Sequence, residues 1–111
     1  MTEKDLSRLL KGLDTDIPVN KWKSDKEAAG KKTRIVYWPF YDTDVAASGD
    51  TFEEVRTYQI SIYATQPDDP VIKKLRNALR NQGIHPKIQH EYVIEEGMFH
   101  SFTSVDVIQD E

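Results

Sequence analysis

Residues 33–41 read TRIVYWPFY, and no other stretch constrains the fold as tightly. Thr, Ile, Val, Tyr, Trp and Phe are strand formers, because branched and aromatic side chains pack well on a pleated surface. Successive strand residues point to opposite faces. Ile35, Tyr37 and Tyr41 therefore fall on one face, and Val36, Trp38 and Phe40 on the other. A half-exposed strand alternates apolar with polar residues, and this one does not. Either both faces are covered within the domain, or one face meets another subunit. The second option makes Val36, Trp38 and Phe40 a candidate subunit interface. Pro39 has no N–H to donate, so that end is expected at an edge or a bulge.

The surrounding segments have simpler signatures. Leu6, Leu9, Leu10 and Leu13 lie at i, i+3, i+4 and i+7, which predicts an amphipathic helix over residues 2–13. Thr2 caps it, and Asp5 three positions on completes a capping box. Residues 17–22 are a candidate short strand whose pairing is left open. Residues 24–32 read as a loop within a lysine-rich run that includes Lys21, Lys23, Lys26, Lys31, Lys32 and Arg34. Residues 42–50, DTDVAASGD, read as an acidic loop. Residues 52–65 form a second long strand with Tyr58, Ile60, Ile62 and Ala64 on one face. Asp69 and Pro70 open a second helix, Val71, Ile72, Leu75, Ala78 and Leu79 are its apolar stripe, and Gly83 ends it.

The last segment, 86–109, reads as a hairpin turning at Glu96-Gly97. Ile88 then faces Val105, Tyr92 faces Ser101 and Ile94 faces Phe99. His90 lies on the face of these residues and His100 on the other. The element order is α-β-β-β-α-β-β. It describes one α+β domain over residues 1–111, a mainly antiparallel sheet with two helices packed on one face.

Composition narrows the function. The chain has 111 residues, with 15 Lys plus Arg against 19 Asp plus Glu, so 15 − 19 = −4. A net acidic balance argues against a dedicated or sequence-specific nucleic-acid binder. The chain has no cysteine, which excludes a disulfide framework, a zinc finger and a thiol nucleophile, and fits a reducing compartment. No run of 18 apolar residues is present, so no membrane span is expected. Charges interrupt the apolar residues of MTEKDLSRLLKGLD, which does not read as a signal peptide.

Chemistry-bearing patterns are weak. His85, His90 and His100 match no metal-ligand spacing. Counted from Asp42, an EF-hand loop needs Gly at its sixth position, where Ala47 stands. No serine sits in a nucleophile elbow, and the glycines are scattered singly. Glu53-Glu54 and Glu95-Glu96 are adjacent pairs that point to opposite strand faces. The expectation is a non-enzyme with no catalytic residue, cofactor or metal. The distinctive feature is 11 aromatics, two Trp, five Tyr and four Phe, concentrated on strands. Aromatics fill cores, and they are also enriched at the centres of protein contacts.

The β-rich stretch IVYWPFYDTDVAASGD, then TYQISIYATQPDDPVIKKLRNALRNQGI, then the hairpin EYVIEEGMFHSFTSVDV resemble the small tail-completion proteins of long-tailed phages and prophages. Within them the layout over residues 33–108 is similar to the tail-terminator, or tail-to-head joining, group. The resemblance implies a structural role. Such proteins form a ring, commonly hexameric, on the end of the tail tube, stop its polymerisation and present a surface to head-completion proteins. It places the chain in the cytoplasm of the bacterial host during assembly and then in the virion tail. Loops 24–32 and 42–51 would order on docking, and an acidic lumen would let DNA pass by repulsion. A small cytoplasmic adaptor that binds a partner along an exposed strand edge is the alternative. A small metal- or ligand-dependent enzyme is a third.

Overall fold

A computed structural model describes residues 1–22, 33–46 and 52–108. The helices form where local signals are complete. Helix α1 spans Glu3–Lys11. The Thr2 hydroxyl accepts from the Asp5 N–H at 3.3 Å and the Asp5 carboxylate accepts from the Thr2 N–H at 3.1 Å, so the capping box closes both ways. Helix α2 spans Pro70–Asn81, with the Asp69 carboxylate accepting from the Val71 N–H at 3.0 Å. Gly83, at φ 77, takes the left-handed conformation that ends α2.

Five strands form one sheet: β1 (Val19–Lys21), β2 (Arg34–Ala46), β3 (Phe52–Ala64), β4 (Gln89–Val93) and β5 (Met98–Ile108). Their order across the sheet is β1-β2-β3-β5-β4. All pairings are antiparallel except β1 with β2, which is parallel and joins Val19 to Ile35. The fold is α+β with the expected order of elements. Residues 17–22 thus contribute a strand of three residues, and Trp22 follows it at φ 74 and 62% exposed.

Helices α1 and α2 pack on the same sheet face. Leu6 and Leu10 of α1 and Val71, Ile72, Leu75 and Leu79 of α2 share one buried cluster with Ile35, Tyr37, Tyr58, Ile60, Ile62, Val105 and Val107. Each fully buried leucine contributes about 2 kcal/mol of transfer free energy. This is the face on which the periodicity placed Tyr58, Ile60, Ile62 and Ala64.

Three expectations are corrected. Residues 42–46 are strand, not loop: Asp42 pairs with Arg56 and Ala46 with Phe52. Cross-strand pairing with 52–56 overrides the low strand propensity of Asp42 and Asp44. The rest of that segment, 47–51, and the lysine-rich 24–32 lie outside the described residues. Second, the register slips between Pro39 and Tyr41, so Phe40 is the extra residue of a bulge. Tyr41 then pairs with Thr57 and Trp38 with Gln59, which puts Tyr41 on the Trp38 face rather than with Ile35 and Tyr37. Third, the last hairpin turns over residues 94–97, and Tyr92 faces Phe99. The Gly97 N–H reaches the Val93 carbonyl at 2.9 Å, with Gly97 at φ 64. A four-residue turn replaces the expected two, and because the shift is two residues every side chain keeps its face.

Candidate interaction surface

The sheet face away from the helices is built of cross-strand rows. The first runs over four strands: Arg34, Tyr63, His100 and Glu91. The Arg34 guanidinium lies 4.6 Å from the Tyr63 ring centroid. Tyr63 stacks on His100 at 4.5 Å and 4°, and His100 on Phe102 at 4.8 Å. Arg34 is 1% exposed, and it also meets Met98 Sδ at 3.3 Å and Glu96 at 3.7 Å. The planar guanidinium tolerates this burial because it stacks on the phenol while its N–H groups reach acceptors.

His100 links the first row to the second, Val36, Ser61, Phe102 and Gln89. Its Nδ1 is 2.7 Å from Glu91 Oε1 and its Nε2 is 2.9 Å from Ser61 Oγ. Gln59 Nε2 donates to the same Ser61 oxygen at 3.2 Å. This has the connectivity of a Ser-His-acid relay, yet Ser61 is 0% exposed in mid-strand. Its flanking N–H groups belong to the sheet ladder, so no pair of them is aimed at an oxyanion. The relay rigidifies the face and offers no approach for a substrate. Chain order hides it, since residues 61, 91 and 100 come from three strands. His90, on the helix side, bonds Ser101 at 2.7 Å, so the two histidines do lie on opposite faces. Among the described residues no three His, Asp or Glu side chains converge as metal ligands.

Along β2 toward Tyr41 the face opens. Val36 is buried at 2% exposure, Trp38 is half-buried and Phe40 is 47% exposed. Tyr41, at 55%, packs edge-on against Phe40 at 4.6 Å between centroids. A shallow hollow of about 200 Å³ lies between Phe40, Gln59, Phe102 and Ser104. Trp38, Phe40, Tyr41, Tyr63 and Phe102 therefore give this face five aromatics that are half-buried or exposed. Sequence reasoning found the first two. Tyr41 escaped because one inserted residue reverses parity.

The opposite, helix-side face is ionic at its margins. Arg56 donates to Asp42 at 2.7 Å, and this bond holds the guanidinium above its ordinary pKa. Lys21 of β1 pairs with Glu3 of α1. Their hydrogen bond lowers the Glu3 pKa and raises that of Lys21. Burial is the first cause of the raised Tyr58 pKa. Among the described residues no helix is long and apolar enough to cross a membrane.

No protein-family model matches the chain, and no curated protein does. Solved structures do match by fold. One is the sheath/tube terminator of an extracellular contractile injection system, PVC, seen by cryo-EM in the extended state. The superposition has a TM-score of 0.53 and 13% sequence identity, and it covers 100% of this chain. This chain spans 58% of the length of that one. At the level of the fold, the chain is terminator-like.

Proposed function

We propose that the protein is a tail-completion protein that ends a phage or prophage tail tube as a ring and joins it to head-completion proteins. The terminator-like fold supports this at the coarse level. The observation that carries it is the sheet face away from α1 and α2, where Phe40 and Tyr41 are exposed and Trp38 is half-buried. Aromatics are over-represented among the few residues that dominate contact energies. In a ring each subunit uses two different patches, and an aromatic sheet face set apart from the helical layer supplies one of them. The role is structural, with work done by docking and not by bond chemistry, in the host cytoplasm and then in the tail.

The test is assembly with the tail-tube protein of the same genome. The purified chain should form rings visible in negative stain and should shorten the tubes that polymerise in its presence. Phe40→Glu should keep the circular dichroism spectrum and abolish both effects, because Phe40 is exposed in the free chain. A chain that stays monomeric with tube protein present and leaves tube length unchanged sinks the proposal. Peptide capture along the open edge of β4 would then favour the adaptor reading.

A further inference from the structure

We infer that an acidic arm of one copy docks on a basic groove of the next, and this rests on the ring reading above. The arm is the far end of the β2–β3 hairpin. The last β3–β5 pair is Val55 with Ile108, so residues 44–46 and 52–54 continue without β5 beside them. A two-stranded ribbon is marginal in water unless something packs on it. Its charges add to the problem. Asp44 lies directly across from Glu54, on one face. Like charges in that position are destabilising. Asp42, Asp44, Glu53 and Glu54 set four carboxylates against Arg56 alone, which Asp42 already engages. Among the described residues no cation pairs with Asp44, Glu53 or Glu54. Within the described fold these three carboxylates have no cation, and a neighbouring copy can supply one.

The same chain carries one. Lys73, Arg76 and Arg80 stand at i, i+3 and i+7, on one side of α2. With Asn77, Ile72 and the exposed His90 of β4 they line a groove of about 250 Å³. Among the described residues no carboxylate pairs with any of the three cations. Asp68 and Asp69 stand at its far end, and Asp69 is committed to capping α2. These two carboxylates repel a long polyanion such as DNA, while a short acidic ribbon seats at the Arg76–Arg80 end. The groove flanks β4, which is separated from β2 by β3 and β5. Arm and groove thus occupy different patches of one subunit. A contact between them is heterologous, the kind that closes into a ring when the rotation allows.

Because the chain has no cysteine, introduced thiols are the only ones. Asp44→Cys and Arg80→Cys chains, mixed under mild oxidation, should form the mixed disulfide well above an Asp44→Cys with Lys11→Cys control, and less of it at high salt. Asp44→Lys with Glu54→Lys, and separately Arg76→Glu with Arg80→Glu, should each raise the half-assembly concentration about tenfold or more. The four changes in one chain should bring it back. Rings and tube capping that survive with control-level cross-linking and no effect of reversal overturn this contact and leave the ring reading standing. A salt-sensitive cross-link without rings or capping keeps the contact and overturns the ring. Failure of both removes both.

Discussion

Arg34 is the residue where burial and charge are most opposed. It is 1% exposed, stacked on Tyr63 and in reach of Met98 and Glu96. Arg34→Ala removes the stack and one side of the Glu96 pair, so it should cost about 3 kcal/mol, read as a lower urea midpoint at unchanged slope. That is the low end for a broken buried pair, because the Glu96 side chain keeps 24% exposure. Arg34→Lys should recover little, since an ammonium cannot stack. None of this was legible in the sequence. Arg34 closes a lysine-rich run, and such a run reads as solvated. Met98 and Glu96 belong to another hairpin far along the chain, and only pairing of β2 through β3 to β5 brings them close.

At the scale of elements, legibility followed how local each signal is. α2 was readable because Asp69, Pro70, the apolar stripe and Gly83 all act within one helix. The basic side formed by Lys73, Arg76 and Arg80 had the spacing to be seen, but its meaning depends on β4 lying beside it. Strand β2 was readable to Tyr41 and no further, because DTDVA has a loop composition until β3 pairs with it. The joint between α1 and β1 rests on Glu3 and Lys21. Glu3 is held below its ordinary 4.5 by the Lys21 hydrogen bond, so its contribution is complete above that pH and lost as pH falls through the lowered folded value. Lys21 is raised above 10.5, so at the alkaline end the contribution is lost as pH rises through the raised value. Glu3→Gln should therefore cost under about 1 kcal/mol near neutrality, since both groups are about one-third exposed. Urea titrations of both proteins should converge as the medium is acidified below the ordinary glutamate range and differ by a constant amount between pH 6 and 9.

At the scale of the molecule, the hairpin dominates the shape. The radius of gyration is 15.1 Å against about 13 Å for a compact chain of this length. The principal extents are 51 × 26 × 24 Å. The bulge at Phe40 lies opposite Thr57 and Tyr58, inside the sheet and just before the ribbon leaves it, and bulges bend and twist the strands that carry them. Deleting Phe40 leaves Pro39 opposite Tyr58 and Tyr41 opposite Thr57 in an unbroken ladder. Melting should shift by less than about 5 °C, since no core residue is lost. Small-angle scattering should report a changed maximum dimension, and the proposed ring formation should fall with it because the ribbon no longer aims where it did. An unchanged dimension would mean that the extra residue does not steer the ribbon.

The sheet order has a consequence for biosynthesis. Strand β5, though last in the chain, lies between β3 and β4 and carries Val105 and Val107 into the core. Until residues 98–108 leave the ribosome, the nascent protein has no layer on which its helices can fully close. The domain therefore closes only after that point, and a chain released before residue 98 stays open.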